Sequence, residues 1–229
     1  MSFRNLCFIP AKGASTRLPK KNLLKIDGEE LLFYPIKAAK KSNLFSTDDI
    51  IVSTESEEVK KVAQKHGANV PYLREDHLAR DPYGVSEVAF DFLESFKDYQ
   101  KYDYIFFLLP TSPLTQSGDI LNGFDLIRNE GFETVMSVTE TEHNALRSNF
   151  VKNGRLEPIH PEMIKKKSQE LEKTYHINGA VIVVKMSAFL EHRSYYTSSI
   201  GAFEIPRNRS VDIDTYEDFM LAEYLFSQM

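Results

Sequence analysis

The chain has 229 residues, 42% of them hydrophobic, and a formal net charge of −5 at pH 7, enough for one well-buried domain with room for a small lobe. An acidic balance without long basic runs argues against nucleic acid as a partner. The single Cys7 allows no intramolecular disulfide and no cysteine zinc site, and no apolar stretch approaches a membrane span, so the expectation is a cytoplasmic protein with no membrane contact.

The first apolar run, Leu6-Cys7-Phe8-Ile9, predicts a buried strand over 6–10. The loop after it, Ile9-Pro-Ala-Lys-Gly-Ala-Ser-Thr-Arg-Leu-Pro-Lys-Lys-Asn22, sets Gly13, Ala14, Ser15 and Thr16 among Lys12, Arg17, Lys20 and Lys21. Small residues let a backbone approach a ligand closely, and successive amide N–H groups cradle phosphate oxygens. Between positions 12 and 25 there are five cations and no acid, so basic charge is focused on one loop of an acidic chain. The spacing is neither a Walker loop nor a three-glycine dinucleotide fingerprint. The plain alternative is a basic surface loop leading into a helix. The functional reading is a nucleoside triphosphate site, with Lys12, Arg17 and Lys21 on the phosphates, Ser15 and the backbone of Gly13 and Ala14 beside them, and Asn22 orienting the nucleotide.

Leu31, Leu32, Tyr34, Pro35, Ile36, Ala38 and Ala39 then predict a helix, and 50–53 a strand ending at Ser53. Thr54 followed by Glu57 reads as a capping box opening a helix that Gly67 closes. Phe90, Phe92, Leu93 and Phe96 give the next helix an apolar, core-facing stripe. A strand over 104–109 leads into Leu108-Leu109-Pro110-Thr111-Ser112-Pro113-Leu114, where Pro stiffens the turn and Thr111 and Ser112 offer hydroxyls. Ligands of open α/β sheets bind beyond the carboxyl ends of strands, where this loop lies, although a plain strand-to-helix connection uses similar residues. A helix starts near Asp119-Ile120 and a strand covers 134–138. Residues of about 140–175 break the alternation: they are polar, and Asn153-Gly154 between Phe150-Val151 and Leu156 predicts a hairpin. Asn178-Gly179-Ala180 opens a strand over 180–184. In Ser210-Val211-Asp212-Ile213-Asp214-Thr215, carboxylates two apart in an extended segment share a face and suit Mg²⁺ with phosphate oxygens. The competing reading makes Asp214 or Thr215 the N-cap of a final helix.

Taken together these segments resemble the cytidylyltransferases that activate sialic acid and related nonulosonic acids. Pro10, Ala11, Ser15, Lys21 and Asn22 match their Pro-Ala-Arg-x-x-Ser-Lys-x-x-x-x-Lys-Asn motif. Lys12 stands in place of its Arg, and Thr16 in place of its Lys with Arg17 adjacent. Ala14-Ser15-Thr16-Arg17-Leu18-Pro19 is closer to the sister family that activates 3-deoxy-manno-octulosonate. Leu109 and Thr115 replace a Gln and an Arg of the family's Gln-Pro-Thr-Ser-Pro-Leu-Arg box. Val52-Ser53-Thr54-Glu55, Pro71-Tyr72-Leu73-Arg74 and the Arg80-Asp81 region also follow the family pattern.

The resemblance implies an α/β, Rossmann-like nucleotidyltransferase fold: one domain over 1–229 with a mostly parallel sheet and a dimerisation insertion at about 140–175. It implies transfer of CMP from CTP to a 2-keto-3-deoxy sugar acid with release of pyrophosphate. Lys21, Arg17 and Asp212 would be catalytic, and Asp212 and Asp214 would hold Mg²⁺. Ser53, Pro110, Thr111 and Ser112 would join the loop in binding nucleotide, and Leu109, Thr115, Asn178 and Gly179 would face the sugar acid. The expected partner is a second copy of the chain. An octulosonate or a phosphorylated acceptor, and a nucleotide-binding protein without turnover, are the alternatives.

Overall fold

A computed structural model describes residues 3–96 and 98–229. In chain order the elements are β1 (Asn5–Pro10), β2 (Lys25–Ile26), β3 (Glu29–Glu30), α1 (Phe33–Ser42), β4 (Ile50–Ser53), α2 (Glu57–Lys65), α3 (Val85–Ser95), β5 (Tyr104–Phe107) and α4 (Ser117–Glu130). They continue with β6 (Thr134–Glu140), β7 (Asn149–Lys152), β8 (Arg155–Pro158), β9 (Tyr175–Lys185), α5 (Met186–His192), β10 (Ile200–Glu204) and α6 (Tyr216–Ser227).

Six strands form the central sheet in the order β10-β6-β9-β5-β1-β4. β1 pairs in parallel with β4 and β5, and β10 with β6, while β9 runs antiparallel between β5 and β6. The mostly parallel sheet is as expected, and antiparallel β9 is its exception. Leu6, Cys7, Phe8 and Ile9 of β1 are wholly buried, as a parallel strand covered on both faces requires. One core lies under α1, α2 and α4, and a second under α3 and α5. The chain leaves β1 for β4 on one side and returns to β5 on the other, so the strand order reverses at β1. That reversal opens a crevice beyond the carboxyl ends of β1 and β5.

A third core supports the crevice. Leu18 of the basic loop, Ile26 and Leu31 beside the β2–β3 hairpin, Leu114, Val211, Ile213 and Phe219 of α6 pack together. The C-terminal segment is thereby pressed under the loop after β1. Two local expectations change. Ser56, not Thr54, is the N-cap of α2, its hydroxyl accepting from Val59 N, while Thr54 Oγ1 accepts from Ser56 N; the helix therefore starts two residues later than the sequence pattern suggested. At α6 the cap is Thr215, in a reciprocal box with Asp218, which leaves the Asp214 side chain free for other work. The Asn153-Gly154 turn forms as expected, both residues taking positive φ and closing the β7–β8 hairpin.

Candidate active site

The crevice holds a cavity of about 220 Å³. Pro10, Lys12, Ser15, Lys21 and Asn22 line it from the loop after β1, and Leu109, Pro110 and Thr111 from the loop after β5. Its far wall is Arg74, Leu78, Arg80, Asp81 and Tyr83 with Val85 and Val88 of α3. A second opening of about 580 Å³ shares Lys12, Ala79, Arg80 and Asp81 with it and adds Ala14, Thr16, Arg17 and Glu55. One end thus offers apolar walls, and the other a charged mouth where Lys12, Arg17 and Arg80 stand among Glu55, Asp76 and Asp81.

The loop is held at several points. Asn22, itself buried, donates from Nδ2 to Lys12 O (2.7 Å), tying the two ends of the loop together. Ala11 N donates to Ser53 O (2.9 Å) at the end of β4. Glu55 Oε1 accepts from Gly13 N (2.6 Å) and Ala14 N (3.4 Å). Ser15 Oγ is buried and has no hydrogen-bond partner among the described residues. An orphaned hydroxyl costs free energy unless a ligand or water satisfies it, and this one belongs to a residue lining the cavity.

The two aspartates divide their roles. Asp214 Oδ1 accepts from Lys21 Nζ (2.9 Å) and its Oδ2 lies 2.8 Å from Arg17 Nη1. One carboxylate therefore gathers two cations at the mouth. Asp212 opens toward solvent, yet enough protein surrounds its carboxyl that burial raises its pKa. A hydrogen bond from Thr111 and the charge of Lys21 oppose that rise, and the nearby Asp214 adds to it. Ile213 N, between them, donates to Thr111 O (2.8 Å), fixing the segment against the loop after β5.

A carboxylate destabilised by burial and by a like charge suits a divalent cation. Asp212 fits that description. Asp214, already engaged by Lys21 and Arg17, fits a bridge to those cations better than an open ligand position.

Several residues expected to touch ligand lie behind the cleft. Asn178 is buried: Oδ1 accepts from Ser137 Oγ (2.6 Å) and Ala180 N (3.2 Å), and Nδ2 donates to Ser210 Oγ (2.9 Å). Ser112, also buried, donates to Asn178 O (3.4 Å), and Thr115 Oγ1 donates to Ser112 O (2.8 Å). Asn178 is therefore a hub bracing both the loop after β5 and the segment carrying Asp212. Ser53 is buried, and Thr115 lines a different cavity beside Tyr34 and Phe226. Leu109 faces the cleft and packs over Gly179, whose φ is +69° and where a Cβ would fall 3.1 Å from Leu109 Cδ1.

A model of the cytidylyltransferase family matches residues 6–225. The chain belongs to the cytidylyltransferase family. It is 31% identical to a pseudaminic acid cytidylyltransferase of Campylobacter jejuni over 97% of this chain and 96% of that one. It is 30% identical to a CMP-N,N'-diacetyllegionaminic acid synthase of Legionella pneumophila over 97% and 96%. An N-acylneuraminate cytidylyltransferase of Streptococcus agalactiae is 30% identical over 94% of this chain but only 51% of its own length. The fold is shared with a CMP:2-keto-3-deoxy-manno-octonic acid synthetase solved with CTP (TM-score 0.73, 14% identity, 98% and 99% coverage). The crevice at the strand-order reversal is the candidate active site of this cytidylyltransferase.

The sequence pointed to Lys12, Ser15, Lys21, Asn22, Leu109, Pro110 and Thr111, and the fold brings all seven to one cavity. Leu78, Tyr83, Val85 and Val88 were not singled out, because apolar residues of a helix start carry no functional signal. Glu55 entered only within the Val52-Ser53-Thr54-Glu55 segment that follows the family pattern and was given no role; its legible mark was an acid two residues after a strand.

Proposed function

We propose that the enzyme transfers CMP from CTP to a nonulosonic acid, a 2-keto-3-deoxy sugar acid, in the cytoplasm. The anomeric hydroxyl oxygen attacks the α-phosphorus, a new phosphorus–oxygen bond forms, the bond to the oxygen bridging the β-phosphorus breaks, and pyrophosphate leaves while the hydroxyl proton passes to solvent. The observation that carries this reading is the unpartnered Ser15 hydroxyl in a cavity whose mouth holds Lys12, Lys21 and Arg17. Hydroxyl, ammonium and guanidinium donors converging on one place are a phosphate site.

Lys12, Lys21 and Arg17 neutralise the triphosphate as charge moves to the leaving pyrophosphate, and fixed cations in a partly dry cleft need no reorganisation to do so. Pro10, Leu78, Val85 and Val88 give the base and ribose apolar walls, with Arg74, Arg80, Asp81 and Tyr83 as polar groups among them. Mg²⁺ held at Asp212 would supply further neutralisation of the phosphates. The three relatives favour a nonulosonic acceptor, and Leu109 over Gly179 offers it an apolar contact in place of an amide.

A second copy of the chain completes the acceptor side in this reading. Val151 and Leu156, partners across the β7–β8 hairpin, are exposed together on one of its faces, and exposed apolar residues that adjoin mark a contact surface. Pyrophosphate release tests the assignment, with each nucleoside triphosphate against sialic, legionaminic, pseudaminic and octulosonic acids. CTP with a nonulosonic acid is expected to give the highest kcat/KM. Turnover with another triphosphate and none with CTP would overturn the nucleotide assignment; a clear preference for the octulosonate would overturn the acceptor.

A further inference from the structure

Asp214 and Glu58 reach the side chains of the basic loop from outside, whereas Glu55 reaches its backbone. Glu55 follows β4, and its carboxylate spans from the loop to the cavity wall: Oε1 takes the amides of Gly13 and Ala14, and Oε2 takes Nε (3.1 Å) and Nη2 (2.9 Å) of Arg74. We propose that Glu55 is a positioning residue for the nucleotide, a permanent strut that fixes the first turn of the phosphate loop to Arg74 and commits the Gly13 and Ala14 amides to itself rather than to phosphate. The inference rests on the cytidylyltransferase reading only for the identity of the nucleotide.

Three observations separate a strut from an anion that a ligand displaces. First, the pair is desolvated: the side chains are 10% exposed for Glu55 and 5% for Arg74. Burial lowers the Arg74 pKa, and the Glu55 charge opposes that. Moving Glu55 away would strand a buried cation, which is strongly unfavourable. Second, the turn is packed tightly against α2. A Cβ at Gly13 would lie 2.5 Å from Ser56 Cβ, so the backbone here is pressed onto the N-cap of α2, and this contact rather than a ligand's approach explains the glycine. Third, the charge is balanced, since the carboxylate faces a guanidinium and presents no net negative charge to an incoming triphosphate.

The consequence is a division of labour. Phosphate oxygens meet Ser15 and the cations of Lys12, Arg17 and Lys21, while Glu55 sets where Ser15 stands and how Arg74 is turned toward the cavity. Glutamine is the informative replacement. Its oxygen can still accept from Gly13, but its NH₂ then opposes the N–H groups of Arg74, so both ends are not satisfied at once.

The test is calorimetric titration of inorganic tripolyphosphate and of CTP onto the full-length protein, alongside steady-state kinetics. Glu55→Gln is expected to weaken tripolyphosphate binding about tenfold, the worth of a charge-assisted hydrogen bond, and to raise KM for CTP more than it lowers kcat. Glu55→Asp, too short to span both partners, should show the same effect in smaller measure and serves where Glu55→Gln does not fold. In a double-mutant cycle, adding Glu55→Gln to Arg74→Met should cost less than it does alone. A folded Glu55→Gln with unchanged tripolyphosphate affinity would overturn the strut. So would tighter binding, which would show that Glu55 competes with phosphate for the amides. If the wild-type protein takes tripolyphosphate but not CTP, the nucleotide assignment fails while the role of Glu55 is still decided by the tripolyphosphate arm.

Discussion

The nucleotide end of the cleft and the insertion are built differently. At the nucleotide end Asn22 holds Lys12, Glu55 holds Gly13, and Asp214 holds Lys21 and Arg17. Beneath them, buried side chains from the basic loop, the β2–β3 hairpin and α6 form a core of their own. In the insertion, every residue of β7 is exposed and β8 is nearly so; Val151 is 74% exposed and Leu156 65%. Arg147 donates to Ser168 and lines a cavity of about 470 Å³ at the insertion's root, which shares no residue with the nucleotide cavity. A lone two-stranded hairpin is marginal in water. One chain buries the side chains under the first region, whereas the second leaves its apolar side chains exposed.

The largest expected effects fall on the nucleotide end. Lys21→Ala and Asp212→Asn should each lower kcat/KM by about 100-fold or more, the loss seen when one preorganised electrostatic contact to a transition state is removed. Circular dichroism should be unchanged in Asp212→Asn, whose carboxyl is destabilised in the fold by burial. Near-normal turnover in both variants would mean that the charges of this cleft do not carry the chemistry.

The insertion predicts a different signature. Val151→Asp combined with Leu156→Asp should leave a monomer by sedimentation. KM for the sugar acid should rise roughly tenfold, the scale of one lost hydrogen-bonded contact, while the thermal shift given by CTP stays as in the wild type. A monomer with unchanged KM for the sugar acid would mean that the acceptor side, too, is completed by a single chain.

Legibility in the sequence follows the same division. Apolar runs at 6–10, 50–53 and 104–109 announced the central strands, because a parallel strand buried on both faces needs continuous apolar residues. Periodicity carries no direction, so antiparallel β9 could not be read from its residues, and β10, with the sequence Ile-Gly-Ala-Phe-Glu and only partial burial, gave too short a signal. At the site, small and basic residues after β1 were legible because their chemistry is unusual for a loop. Ser112, Thr115 and Asn178 looked like ligand contacts because polar residues beside a strand end serve equally well as braces. Their partners, Asn178 O, Ser112 O and the Ser137 and Ser210 hydroxyls, reveal the bracing use, which residue type alone could not.

The smallest expected effect sharpens the claim that the nucleotide end is built in advance. The β2–β3 hairpin follows the basic loop directly and is fastened to α2 through Glu30. His66 Nε2 donates to Glu30 Oε2 (3.0 Å), Lys65 Nζ lies 3.4 Å from the same oxygen, and Lys25 Nζ lies 3.7 Å from Oε1. The His66 hydrogen bond is the main cause that brings the Glu30 pKa from the ordinary 4.5 to about 2, against a burial contribution of opposite sign. A carboxyl held below its ordinary value stabilises the fold at every pH above that value, and the stabilisation drains away as the pH falls from 4.5 toward about 2. Glu30→Gln should therefore lower Tm at pH 7 and give a flatter decline of Tm below pH 4.5 than the wild type shows. Affinity for CTP should weaken slightly at pH 7, because the hairpin sits under the loop that carries Lys21, whereas the sedimentation profile should stay that of the wild type. Parallel acid limbs for the two proteins would show that the hairpin is not held by this carboxylate, and that the preformed loop owes its shape to the buried core and to its other ties.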